Sequence, residues 1–196
     1  MKKIFTFLLI TACSSVFAQD SLKSFNYARY STTTTGMDVL GSWAIANIGI
    51  GSVGWAESKG GSNKYFYQMD ALWNVANLGA AIIGYTGAQK DKNKQLTPAE
   101  SLKAQQKMEK IFLINGGLDV AYIGAGIFLQ HRGDIRNSDE LRGYGKSIIL
   151  QGAFLLLFDS SMYSAQRHNG NKLRSFLAKN PVTFDGRRVG IIYAME

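Results

Sequence analysis

Four stretches of this chain contain no lysine or arginine: residues 37–56, 65–88, 111–130 and 147–166, of 20, 24, 20 and 20 residues. The hydrocarbon core of a bilayer takes roughly 20 helical residues to cross, so each length matches one crossing. Mean hydropathy near zero hides this segregation. The 22 lysines and arginines, against 14 acidic residues, lie outside these stretches, so the net charge of +8 belongs to loops and tail. The pattern predicts an all-α fold, an antiparallel four-helix transmembrane bundle over residues 37–166. A long third helix and a short C-terminal hairpin or irregular tail complete it.

The beginning of the chain predicts export. Lys2 and Lys3 precede a short apolar run over residues 4–12, and Val16-Phe17-Ala18 places small residues where a signal peptidase reads. Residues 1–18 are therefore expected to be a signal peptide, with cleavage after Ala18, followed by a polar N-terminal arm over residues 19–36. Cys13, the only cysteine, also fits a loose lipoprotein pattern, Ile10-Thr11-Ala12-Cys13, so lipidation stays open beside simple removal. If Cys13 is removed, disulfides and thiol catalysis go with it. Nucleic acid is excluded as a partner of an exported chain of this kind, whereas the lipid bilayer, anionic headgroups and another envelope protein fit it.

Helix boundaries are legible. Thr35 with Asp38 forms a capping pattern before the first stretch, and residues 58–63 form a polar, glycine-rich turn that makes the first two helices a hairpin. Thr97-Pro98-Ala99-Glu100 combines a cap, a proline at the first helical position and a glutamate at the third. From Pro98 a helix to Leu129 would be about 48 Å long, and so would project some four turns beyond the bilayer. Asn137 with Glu140 forms another possible cap. The basic tail, residues 167–196, is expected to hold a short amphipathic helix over 173–179 ended by Pro181. A hairpin about Asp185-Gly186 follows.

Inside the stretches one pattern occurs twice, thirty residues apart: W-x-[IV]-A-N-[IL]-G-x4-G-[WY], at Trp43 to Trp55 and at Trp73 to Tyr85. Counting depth from one face of the bundle brings Asn47, Asn77, Asp119 and Asp159 to a common polar intramembrane layer. Asp70 and Gln151 fall nearer the other face as a second polar pair. Amides bridging helices are ordinary interhelical glue, and Gly49, Gly79, Gly116, Gly117, Gly124 and Gly126 are expected to permit the close approach. Trp43 and Trp73 need acceptors for their indole N–H groups, the carboxylates being candidates. Tyr65, Phe66, Tyr67, Tyr85, Trp55, Tyr144 and Tyr163 cluster at the ends of the stretches, as interfacial aromatics do.

Catalytic patterns find little support. Asp119 and Asp159 are of the type used by intramembrane aspartyl proteases, but Leu118 replaces the expected glycine and the motif order is reversed. Gly145-Lys146-Ser147 lacks the earlier glycine and strand of a P-loop. Asp159, Ser160 or Ser161 and His168 lack a nucleophile elbow. His131 and His168 read as interfacial loop residues and have no second metal ligand at a recognisable spacing. No catalytic residue, metal site or cofactor is assigned.

Sidedness raises an objection. With the mature N-terminus outside, external segments carry fourteen basic residues and internal loops six, the reverse of the usual rule. Either one stretch does not cross, or the bundle is not an ordinary inner-membrane protein; a periplasmic or lipid-associated helical bundle is the alternative.

The runs Met37-Asp38-Val39-Leu40-Gly41-Ser42-Trp43, the repeat from Trp73 to Gly79, Glu109-Lys110-Ile111-Phe112 through Gly116-Gly117-Leu118-Asp119, and Arg142-Gly143-Tyr144-Gly145-Lys146-Ser147 resemble an uncharacterised bacterial family of small, signal-bearing, multi-pass membrane proteins. The resemblance implies a helical membrane bundle and no activity. The expected role is a non-enzymatic, structural or interaction component of the cell envelope. Two alternatives are a small transport or proton-handling protein using the buried Asp/Asn layer, and a membrane-embedded hydrolase.

Overall fold

The computed structural model describes residues 2–179, 182–184 and 189–191, with side chains described over residues 21–179. Four helices follow one another: α1 (Lys2–Glu57), α2 (Gly61–Asp91), α3 (Pro98–Arg136) and α4 (Asp139–Lys179). Strands β1 (Val182–Phe184) and β2 (Val189–Ile191) then pair antiparallel, with Thr183 opposite Gly190. The expected signal peptide, residues 1–18 with Cys13, lies outside the residues whose side chains are described. The Asp185-Gly186 turn lies outside the described residues altogether.

Close approaches give the helix directions. On α1, Gly41, Gly51 and Gly54 lie against Ala81, Ala71 and Tyr67 of α2, so ascending positions meet descending ones. On α3, Gly126 and Gly133 meet Gly145 and Arg142 of α4, while Asp119 and Ile123 meet Gly152. Two antiparallel hairpins result. They join where Gly143 of α4 packs on Ser62, Tyr65 and Phe66 of α2.

The helix starts differ in part from expectation. Thr97 caps α3 with a full capping box: its hydroxyl accepts from the Glu100 N–H, and the Glu100 carboxylate accepts from the Thr97 N–H at 2.8 Å. Asn137, however, does not start α4. It ends α3 in the left-handed conformation at φ 49°, and Ser138 accepts from the Leu141 N–H instead. Thr35 and Asp38 begin no helix either, because α1 runs straight through them. The threonines before them, weak helix formers, turn their hydroxyls back onto the preceding turn: Thr33 donates to the Arg29 carbonyl at 2.8 Å and Thr34 to that of Tyr30 at 3.2 Å. The expected polar arm over 19–36 is thus helical, and residues 167–179 continue α4 rather than forming a separate amphipathic helix.

These extensions build a charged end of the bundle with the burial usual in water. Leu22, Leu173 and Leu177 form its core, with Phe25, Leu102 and Phe176 packed around them. Lys23, Lys103, Lys107 and Lys172 face outward. Within the lysine-free stretches the sense reverses. The buried face of α2 is Asp70, Ala71, Asn74, Asn77 and Ala81, whereas Leu72, Val75, Ile82 and Ile83 are exposed. Among the described residues, every exposed large hydrophobic except Tyr27 and Ile135 lies in one of these stretches.

Three helices are long and apolar enough to cross a membrane: α1 from Ser21, α3 and α4. The expected fourth span, α2, falls short of that apolarity because three polar side chains fill its buried face. The glycine expectation is also corrected. A methyl group at Gly49, Gly79, Gly116, Gly117 or Gly124 would meet nothing within 4 Å, and of the six only Gly126 lies at a helix contact. Two residues past a buried asparagine, Gly49 and Gly79 are turned about 200° away from it.

Candidate functional site: a polar layer beneath a cavity

The two copies of the repeat share one burial pattern. Ala44 and Asn47 are buried in the first, Asn74 and Asn77 in the second, and the two residues between them are exposed in both. Their tryptophans meet different partners: Trp43 stacks on Phe154 at 3.8 Å, and Trp73 sets its edge against Tyr122 at 5.0 Å. The Trp43 indole N–H finds an amide rather than a carboxylate, donating to Gln151 Oε1 at 3.0 Å. The Gln151 amide in turn donates to Asp70, itself 2% exposed. One side chain of α4 therefore ties α1 to α2. Asn74 completes this level by donating to the Asp70 carbonyl at 2.8 Å.

Of the residues expected in the common layer, the structure joins Asp119 and Asp159 directly. Their carboxyl groups face one another, with Asn115, one turn before Asp119, beside Asp159. The second oxygen of Asp119 has no partner although it is buried. Asn77 faces the same space, a cavity of about 830 Å³ that Asn115, Asp119 and Asp159 also line. Its amide donates to Asn74 Oδ1 at 3.2 Å. Asn47 is not among the residues lining the cavity. It donates to the Trp43 carbonyl one turn back at 2.8 Å and sits along the α1–α2 seam.

From this level the cavity runs toward the charged end between α1, α2 and α3. Its walls are apolar, including Met37, Leu40, Ile83, Ile111 and Phe112, and its mouth holds Arg29, Lys90, Asp91, Lys94 and Lys107. The volume falls in the range usual for small-molecule sites, and a few polar groups converging in an apolar pocket are their usual lining. Chemically, the floor offers two facing carboxyl groups, one of them with an unused acceptor.

A second polar network closes the charged end and escapes a reading of the lysine-free stretches. Gln166 donates to Thr33 Oγ1 at 3.0 Å, Gln105 to the Gln166 carbonyl at 2.7 Å, and Asn169 to Gln105 Oε1 at 2.8 Å. Asn26 bonds Ser101 at 2.8 Å. Glu109, 7% exposed at its side chain, holds Arg167 at 3.0 Å and Arg174 at 3.1 Å. The available signal was the spacing of Ser101, Gln105, Glu109 and Phe112, one buried face of α3 hidden among lysines. His131 and His168 lie exposed on α3 and α4 rather than in loops. The aromatic group at the opposite end is real packing: Tyr65 meets Tyr144 edge-on at 5.8 Å, and Tyr144 bonds Gln68 at 3.2 Å.

No curated protein and no solved structure matches the chain. One family model matches it over residues 39–160, from the first repeat to the residue after Asp159, and so contains the whole polar floor. That range covers more than half of the 196 residues. The chain belongs to the family of unknown function DUF6992.

Proposed function

We propose that the protein is a non-enzymatic integral membrane protein of the bacterial cell envelope, exported through its signal peptide, with a structural or interaction role. The reversed burial carries this reading. Ile83 is 74% exposed and Leu157 72%, while Asp70, Asn74 and Gln151 are at most 2% exposed. Water would favour the opposite arrangement, since unpaired apolar surface of this extent is costly there. Hydrocarbon favours it, because polar side chains then bond only to each other. Alkaline carbonate extraction tests the reading: the protein stays with the membrane pellet, and release into the supernatant would refute it. Single cysteines at Asn63, Lys92 and Asn171, labelled from either side, then give span number and sidedness.

The cavity favours a second reading, a small transport or proton-handling protein. It brings solvent-sized space to Asn77 and to the Asp119–Asp159 pair. Asp119→Asn and Asp159→Asn separate the two roles in proteoliposomes. A stable bundle with altered ion or proton flux supports handling. Unchanged flux in both variants refutes it.

A further inference from the structure

Arg29 is the least expected residue of the cavity. It is 6% exposed, yet among the described residues it forms no ion pair. Its Nη1 donates to Asn26 Oδ1 at 2.8 Å and to the Ser101 carbonyl at 3.4 Å, both neutral acceptors. A guanidinium carries five donors in a fixed fork matched to carboxylates and phosphates. The nearest counter-charge, Asp91, stands beyond ion-pair distance and is shared with Lys94; a buried charge so weakly compensated is expensive, so a site that retains one is suited to an anion arriving from outside. Lys90, Lys94 and Lys107 stand at the same mouth, and its one acid, Asp91, is engaged by Lys94 at 2.6 Å.

Below Arg29 the lining turns apolar for most of the cavity's length. On α3 the lining residues run from Ala104 to Tyr122, about 27 Å at the helical rise. The long dimension ends at the polar floor, where the buried Asp119 oxygen lacks a partner. A cationic mouth, a long apolar slot and a polar stop describe an elongated ligand with an acidic head and one hydrocarbon chain.

We propose that this cavity binds a single-chain anionic amphiphile, its carboxylate or phosphate head held by Arg29 with Lys90 and Lys107, and its chain lying along Met37, Leu40, Ile83 and Phe112. The carboxyl floor limits chain length, since a longer chain would press an apolar end onto Asp119 and Asp159. The neutral bonds to Asn26 and Ser101 fix the guanidinium from behind and leave its remaining donors for the head.

The test uses the full chain in nanodiscs of uncharged phosphatidylcholine, with binding measured above empty nanodiscs. Four probes share one chain: dodecanoate, dodecyl phosphate, dodecanol and dodecyltrimethylammonium. At least one anion binds about tenfold or more tightly than the alcohol, and the cation binds weakest. The order of the two anions identifies the head. Arg29→Gln removes most of the anion's advantage and leaves dodecanol unchanged. Gly87→Leu weakens every probe, because Gly87 lines the cavity and a Cβ there meets nothing within 4 Å, which leaves room for the larger side chain to enter the slot. Should Arg29→Gln fail to fold, the double variant Lys90→Gln/Lys107→Gln makes the same test through the anion-to-alcohol ratio. Anions binding no more tightly than dodecanol, or keeping their advantage in a folded variant without these charges, would overturn the proposal.

Discussion

Placing one lysine at Val120 separates a bundle in hydrocarbon from a bundle in water. Val120 is 58% exposed and stands ten residues beyond Lys110, near the middle of the lysine-free part of α3. Ten residues of helix are about 15 Å, too far for a four-carbon stem to carry its ammonium to the charged end. A lysine at a bilayer centre costs about 2.5–3.5 kcal/mol on insertion scales. At tenfold per 1.4 kcal/mol this is roughly a hundredfold shift of the equilibrium toward the unfolded or uninserted state. In water the same exposed substitution would change stability by about 0.5 kcal/mol or less. Leu157→Lys on α4 should behave as Val120→Lys does. Tyr27→Lys, exposed on the charged end, should stay within about 0.5 kcal/mol. Reversible unfolding of the three variants in lipid nanodiscs, followed by circular dichroism, gives the comparison. If all three lie within about 0.5 kcal/mol of the parent, the outward face is not in hydrocarbon and the reasoning fails.

Substitutions at four further positions test the packing and capping in the same unfolding assay. Gln151→Ala strips Asp70 of its amide donor and the Trp43 indole of its acceptor, and should cost about 1–3 kcal/mol, the bonds being worth less than in a water-soluble core because unfolded helices in lipid also find partners. Gly145→Ala should cost about 1–3 kcal/mol, since the new methyl would sit 2.5 Å from the Gln130 nitrogen and 2.6 Å from the Gly126 carbonyl, both backbone atoms. Gly116→Ala, which meets nothing, should be neutral or stabilising by up to about 1 kcal/mol. Thr97→Ala removes half of the capping box and should cost about 1 kcal/mol, a loss that Thr97→Ser largely restores.

What the sequence made legible was what depends on local chemistry and one-dimensional spacing. The absence of lysine marked four helical stretches, Thr97-Pro98 marked a helix start, and the depth count paired Asp119 with Asp159 on neighbouring helices. What depends on rotation about a helix axis was less visible. Gly49 and Gly79 belong to a repeated pattern but face outward, whereas Gly145 and Gly152, outside the repeat, make the tight contacts. Asn47 repeats Asn77 in sequence, yet only Asn77 reaches the cavity, because α3 and α4 do not cover the two copies alike. The charged end was hidden because its buried residues are polar: Gln105 and Gln166 look like surface positions until their partners on other helices are known. Arg29 was hidden in the same way, within the expected polar arm over residues 19–36.

The central claim, that apolar residues of this bundle face lipid while its polar residues face one another, has a direct spectroscopic test. Nitroxide labels are placed at Ile83, Val120 and Leu157, and for contrast at Tyr27 and Lys103, in the protein reconstituted in bilayers. Collision with oxygen, which concentrates in hydrocarbon, is compared with collision with a water-soluble nickel chelate. The account predicts oxygen-dominated relaxation at Ile83, Val120 and Leu157, and nickel-dominated relaxation at Tyr27 and Lys103. Nickel-dominated relaxation at Val120 and Leu157 would contradict it.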